Sequence, residues 1–372
     1  MLLQQVSIFF NMKIKLYFIT VIIIITTIVS CNNKSLTYKI PDFYDQYYFD
    51  NIRIEKSSST NNMYRNYIND FDECIMNKSY KDHLNLDSFL EENKTLSFIV
   101  LKNDSILYEK YFYDTLSHPT TPTFSISKSF VSSLLGIAIE NGNIKSIDEP
   151  ITNYIPELQE FGNITLEMLL NMCSGLNCNG IMKNASIYFS TDLKETIKDY
   201  YIEKKPGTEY SYENINTLLL CIAIERATNI NIATYLENEL WKKAGMSHDA
   251  TWSVDCKENQ QVKGFCGINA APIDLARFGS IYLHNGFYNG EQIVPMKWVK
   301  ESFTKHNKLK DEDGYYYSYS WRITENNAYV AVGFMGQYIY VAPAKNLVVV
   351  RTGESYDSFN WIEFIEEMTS FL

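Results

Sequence analysis

The chain has little with which to hold a metal. Its five histidines are scattered, and none of its seven cysteines forms a Cys-x-x-Cys pair. No metal and no cofactor are therefore expected. Basic residues are also short, 33 against 44 acids, for a net charge of −11. That deficit argues against nucleic acid as a partner and against electrostatic adhesion to anionic lipid. No internal repeat or low-complexity tract occurs, which excludes solenoids and propellers. The single long apolar run, Leu16 to Val29, is too short to span a bilayer comfortably. What is abundant is tyrosine, 28 residues in 372, and this favours sheet structure and an aromatic-lined cleft over a helical bundle.

The apolar run begins after Met12-Lys13-Ile14-Lys15 and ends at Ile28-Val29-Ser30-Cys31, followed by polar Asn32-Asn33-Lys34. This reads as a secretory leader, with Met1 to Asn11 as an upstream mis-assigned start. Its end resembles the bacterial lipoprotein signal, in which the cysteine, here Cys31, becomes the lipidated first residue. The competing reading is a single-pass anchor, and both place the protein outside the cytoplasm, lipid-anchored in the first case at a periplasmic face or the cell surface. Without Lys13 and Lys15 the net charge moves from −11 to −13. The expected organisation is a signal peptide over 1–30, a polar tether over 31–60 and one domain over 61–372. Cys173/Cys178 and Cys256/Cys266 are candidate loop clips, and Cys74 and Cys221 candidate core residues. Nothing in the sequence sets the oligomeric state.

Met63 to Asn77 carries apolar residues at helical spacing and predicts an amphipathic helix. Leu96 to Leu101, Asn103-Asp104 and Ile106 to Tyr113 predict a β-hairpin. From Phe124 to about Thr228 the pattern is helical, and further helices are expected over Ile232 to Leu240, Pro272 to Asn285 and Pro295 to Thr304. After Gly314 the period becomes two. Strands are expected over Tyr315 to Ile323, Tyr329 to Val332, Gln337 to Val341 and Leu347 to Arg351, then a closing helix over Ser358 to Phe371. An early hairpin and late strands must share one sheet to bury their faces. The fold class is therefore α/β (α+β): sheet from about 61–123 and 310–372, with a mainly helical region, about 124–309, inserted.

Three stretches could carry chemistry. Ser125-Ile126-Ser127-Lys128 opens a buried helix after a run broken by Pro119 and Pro122. Its serine and lysine fall on one helical face, where a desolvated amine is a competent base for a hydroxyl. A second copy, Ser302-Phe303-Thr304-Lys305, follows a charged surface helix with no apolar wall. Tyr212-Glu213-Asn214 is one of three Tyr-x-Asn triplets, and the one that follows a Pro-Gly turn and precedes a buried helix; there a phenol can relay a proton and an amide can hold a carbonyl. Gly333-Phe334-Met335-Gly336-Gln337 enters a late strand, where a substrate can approach the backbone and an N–H can donate to an oxyanion. Each has a plain structural alternative, as helix cap, core tyrosine or tight turn.

In this order the three stretches resemble the motifs of the serine β-lactamase and penicillin-binding-protein superfamily. The surrounding text, SISKSFVSSLLGIAIENGNI, ITLEMLLNMCSGL, PGTEYSYENIN, APIDLARFGSIYL and GQYIYVAP, is similar to the class C-type β-lactamase-related serine hydrolases. Nearest is the esterase and 6-aminohexanoate-dimer hydrolase branch. The resemblance implies the β-lactamase/transpeptidase-like fold, an antiparallel sheet flanked by helices. It implies Ser125 as acylated nucleophile, Lys128 as base, Tyr212 as proton shuttle and Asn214 as substrate ligand. It also implies an oxyanion hole from the Ser125 and Gln337 N–H groups, beside Gly336. Penicillin-recognising members carry a lysine where this chain has Phe334, so an ester or amide without a carboxylate is the expected substrate. A β-lactamase or D-Ala-D-Ala peptidase, with Arg351 as carboxylate partner, and a non-catalytic cell-wall-binding or sensor protein are the alternatives. Trp252, Tyr315, Tyr317, Tyr319 and Trp321 are candidates for an aromatic cleft.

Overall fold

A computed structural model describes residues 40–60, 63–68, 71, 85–177, 180–305, 309–354, 359–370 and 372. The leader, Cys31 and the first part of the tether lie outside the described residues, as do Cys74 and Cys178.

The hairpin forms as its pattern predicts. Strands β1 (Thr95–Lys102) and β2 (Ser105–Tyr111) pair with Lys102 opposite Ser105. The connecting Asn103 and Asp104 both take positive φ, +49° and +60°, the conformation that matches a two-residue turn to the strands' twist. The chain returns to this sheet as β3 (Tyr316–Ser318), β4 (Trp321–Ile323), β5 (Tyr329–Gly333), β6 (Gln337–Ala342) and β7 (Leu347–Gly353). The order is β3-β4-β5-β6-β7-β1-β2, antiparallel throughout, with Tyr64–Arg65 added in parallel beyond β2. Pairing of β7 with β1, Val349 opposite Val100, closes the two ends of the sequence on each other.

Alternation sorts the sheet's side chains into two cores. Ile99, Leu101, Ile339, Val341, Val348 and Val350 face the helical region. That side is built on α1 (Ser127–Glu140), α2 (Asn214–Thr228) and α3 (Pro272–Leu283). Phe98, Val100, Tyr340 and Val349 face the other way, against the helix Leu86–Glu92 and α4 (Trp361–Thr369). Helix α3 lies directly on the strands, since a Cβ on Gly279 would stand 2.6 Å from Val348 Cγ1.

Four expectations need correction. Tyr315 to Ile323 is not one strand: it folds back at Tyr319 and Ser320, with φ +47° and +66°. Asn171 Oδ1 accepts from the Tyr319 N–H at 3.0 Å, and Ser129 Oγ donates to the Ser320 carbonyl at 2.8 Å. These long-range bonds hold a turn that has no glycine, proline or asparagine. Met63 to Asn77 does not begin as a helix, because the 64–68 backbone bonds to β2, Asn66 N–H to the Ile106 carbonyl at 2.9 Å. Its later part, Phe71 apart, is outside the described residues. The tether does not extend to 60: Asn51–Ile54 is a strand of a second, four-stranded sheet with Ala250–Ser253, Ile268–Ala270 and Thr121–Pro122. The region expected to be helical thus contributes strands of its own. Finally, Cys256 and Cys266 are both free thiols, and burial pushes the Cys266 thiol up to about 12. Cys221 is fully buried, as a core residue.

Candidate active site

The second sheet aims the chain at the cleft. Thr123, next after the strand Thr121–Pro122, is tied to the Ile268 carbonyl by its N–H at 2.9 Å and by its hydroxyl at 2.8 Å. Phe124 follows with φ +46°, a conformation that a bulky side chain holds only under tertiary constraint. The constraint is burial and an edge-to-face contact with Phe334 at 5.7 Å. Strand β5 approaches closely here, since a Cβ on Gly333 would lie 2.4 Å from the Thr123 carbonyl oxygen. The chain then makes one 3-10 turn, Phe124–Ile126, and enters α1. Ser125 is thereby half-buried at a helix mouth, with its N–H among the first-turn donors that the helix itself leaves unused.

Lys128, one turn on, is 1% exposed. Its Nζ stands 2.8 Å from Ser125 Oγ, 3.0 Å from Asn214 Oδ1 and 2.8 Å from the Phe265 carbonyl oxygen. The last two can only accept. A neutral amine has two N–H groups and one lone pair, so donation to Asn214 and Phe265 leaves the lone pair facing the Ser125 hydroxyl. An ammonium would instead donate to all three. The cradle therefore holds the base in either state without moving it. Tyr212 closes the other side, with the amine 4.7 Å from its ring centroid.

Ser125 opens into a cavity of 1010 Å³ whose walls include Tyr210, Tyr212, Tyr317, Phe334 and Arg322. Tyr317 meets Tyr210 and Tyr212 edge-on, at 5.4 and 6.1 Å between ring centres. Burial, then the neighbouring Tyr212 and Tyr210, drives the Tyr317 phenol well above its ordinary range, and burial likewise raises Tyr210. Of the aromatic candidates, Tyr315 and Tyr317 line the cavity, while Trp252, Tyr319 and Trp321 are buried in the core. Arg322, on the cavity wall, is held by Asp311 at 2.6 Å and Asp313 at 3.0 Å.

Two expected positions have other duties. Arg351 is fully buried and donates to Thr95 Oγ1 at 3.0 Å, to the Gly336 carbonyl at 2.7 Å and to the Asn93 carbonyl at 2.8 Å. It also stacks on Trp361, 3.5 Å from the ring centre. A guanidinium so engaged cannot meet a substrate carboxylate; it braces the turn Phe334-Met335-Gly336 from behind. Arg351→Met would orphan these acceptors, and a loss of about 3 kcal/mol or more in urea unfolding is expected. The Gln337 amide is likewise internal, donating to the Gly353 carbonyl at 2.7 Å and accepting from the Gly353 N–H at 3.2 Å. Gln337 itself is 1% exposed and is not among the residues that line the cavity, whereas its neighbours Gly336 and Tyr338 are. Gly336, with φ +80°, is the residue the turn requires: a Cβ there would fall 1.9 Å from Arg351 Nη1.

The beta-lactamase family profile matches residues 87–354, well over half of the chain and every residue of this constellation. The chain belongs to the beta-lactamase family. It is 26% identical over 295 residues to the 6-aminohexanoate-dimer hydrolase of Paenarthrobacter ureafaciens, across 72% of this chain and 74% of that protein. The solved structure called "Putative 6-aminohexanoate-dimer hydrolase from Bacillus anthracis" superposes with a TM-score of 0.78 at 21% identity, covering 92% of this chain and 94% of that one. A penicillin binding protein from Bacillus halodurans has the same fold, with a TM-score of 0.62 at 16% identity over 77% of this chain and 98% of that one. The protein is a beta-lactamase-family serine hydrolase, and its fold is the one the motifs implied.

For this serine hydrolase, sequence reasoning brought Ser125, Lys128, Tyr212 and Asn214 to one place, with Phe334 and Gly336 on the cavity wall. It missed the Phe265 carbonyl, a backbone acceptor without a side-chain signature. It also missed Asn184, whose Oδ1 accepts from the Asn214 N–H at 3.2 Å. Asp311 and Asp313 were missed too; they stand just before Gly314, where the sequence showed only a change of period.

Proposed function

We propose that the enzyme hydrolyses a neutral ester or amide in two steps through an acyl-enzyme on Ser125. The observation that carries this is the buried Lys128 amine 2.8 Å from Ser125 Oγ, with its other two partners both acceptors. In this reading Lys128 takes the hydroxyl proton as Oγ attacks the carbonyl carbon. The developing oxyanion accepts from the Ser125 and Gln337 N–H groups, which are fixed before reaction and need no reorganisation. Tyr212 passes a proton to the leaving oxygen or nitrogen. Asn214 spends its Oδ1 on Lys128, which leaves its amide N–H to a substrate carbonyl. Water then attacks the acyl-enzyme and returns the proton to Ser125.

A substrate without a carboxylate is favoured by Phe334 and by the internal engagement of Arg351 and Arg322. Asp311, Glu312 and Asp313 add negative charge on the same wall. The expected result is turnover of p-nitrophenyl esters with kcat/KM at least about 100-fold above that for nitrocefin. Nitrocefin as the better substrate would overturn the assignment in favour of a β-lactamase. A fluorophosphonate probe should label the protein and fail on Ser125→Ala; equal labelling of both would dispose of the nucleophile. No labelling of either would point to the non-catalytic binding protein.

The proposal extends to location. Lipidation at Cys31 would leave only a short polar segment before the fold, which begins by Asp45. Exposed Tyr44, Tyr47 and Tyr48 stand around that point, and tyrosine suits a headgroup interface. Labelling of the native protein by an alkyne fatty acid, lost in Cys31→Ala, is the expected outcome. Persistence in that variant would exclude the anchor.

A further inference from the structure

We propose that Lys263 is a positioning residue for Lys128, locking the carbonyl that the catalytic amine leans on. The proposal rests on Lys128 acting as base. Lys263 is fully buried, and its Nζ donates to the Tyr188 and Ser190 carbonyls, each at 2.8 Å. Its backbone carbonyl accepts from the Cys266 N–H at 3.0 Å and the Gly267 N–H at 2.9 Å. Between those anchors lies Phe265, whose carbonyl meets Lys128 Nζ.

These contacts close a ring. From Lys128 the path runs to the Phe265 carbonyl, along two residues to Lys263, and through its amine to the end of the helix Gly180–Phe189. Asn184 on that helix accepts from the Asn214 N–H, and Asn214 Oδ1 returns to Lys128. Both acceptors that fix the amine are thus held by one circuit, which Lys263 ties together through its amine. A buried lysine is costly as a mere packing element, since its desolvated amine must be fully hydrogen-bonded to persist. Here two carbonyls and the Phe49 ring, 4.8 Å from Nζ, satisfy it. Asp45 supplies the counter-charge nearby, itself bonded to the Tyr188 hydroxyl at 2.7 Å.

Loosening this tie would let the Phe265 carbonyl drift, and misplacement of a base by about 1 Å costs on the order of 100-fold in rate. The experiment is Lys263→Met in the full chain, read as the second-order rate constant of fluorophosphonate acylation per folded molecule, with kcat and KM for an ester measured alongside. A fall of about 10- to 100-fold in the acylation constant and in kcat, with KM within about twofold, is expected. Lys263→Arg, which can still donate to both carbonyls, should recover part of the loss. A lower melting temperature with an unchanged acylation constant would make Lys263 a stability residue and overturn the proposal. Should Lys263→Met fail to fold, Lys263→Gln, a shorter side chain with a neutral amide in place of the ammonium, is read in the same way, and an unchanged constant there overturns the proposal equally. Loss of labelling in wild type would instead refute the serine-hydrolase chemistry, so the two failures are distinguishable.

Discussion

Ser125→Ala is expected to lower ester kcat by about 10⁵-fold or more, while Ser302→Ala changes it by less than twofold. Both serines stand three residues before a lysine, and the pair differ only in surroundings. Ser125 Oγ has the buried Lys128 amine at 2.8 Å and a cavity in front of it. Ser302 Oγ donates to the Trp298 carbonyl at 2.8 Å inside its own helix, and Lys305 lies over the Tyr316 ring at 4.7 Å. The second lysine is therefore directed away from its serine. The Ser125→Ala protein should also melt within a few degrees of wild type, because the residue bridges no two elements of the core. A variant that loses activity together with its fold would say nothing of the nucleophile, so the melting curve belongs to the measurement. Retention of more than about one percent of kcat in Ser125→Ala would end the acyl-enzyme assignment.

What the sequence made legible follows from how local each determinant is. The hairpin at Asn103-Asp104 was readable because both residues tolerate positive φ and strand-prone runs rich in β-branched and aromatic residues flank them. Strands β5, β6 and β7 were readable from apolar runs bounded by turns, and each alternates between the two cores. Tyr319-Ser320 was not, because its turn is held by Asn171 and Ser129 from other parts of the chain. A propensity argument sees only neighbours in sequence. The edge strand at Tyr64–Arg65 failed likewise: helical spacing was present, but β2 offered unpaired backbone groups that outweigh it. At the site, side-chain chemistry was legible and backbone chemistry was not. Ser125, Lys128, Tyr212 and Asn214 announce themselves by type and order. The Phe265 carbonyl has no letter. Arg351 misled in the opposite sense: the sequence shows a charge, whereas its complete burial under Gly336 and Trp361 decides what that charge can reach.

Replacement of Lys128 separates a base from a mere positive charge. Lys128→Met should lower kcat by about 10³- to 10⁴-fold, and Lys128→Arg should fare no better. A guanidinium keeps the charge but has no lone pair to offer and does not lose a proton in proteins. If Lys128 served only to neutralise an oxyanion, arginine would restore much of the rate. The geometry admits the base: with the amine neutral, Asn214 Oδ1 and the Phe265 carbonyl take its two N–H groups and its lone pair meets the hydroxyl, 2.8 Å from Oγ. The truncated variant Lys128→Ala supplies the converse test. It leaves a slot for a small primary amine, and added propylamine should raise the rate of Lys128→Ala in proportion to its unprotonated fraction. Rescue that tracked the ammonium form instead, or activity preserved in Lys128→Arg, would assign Lys128 an electrostatic role and move the search for the base to Tyr212, whose ring already faces the amine at 4.7 Å.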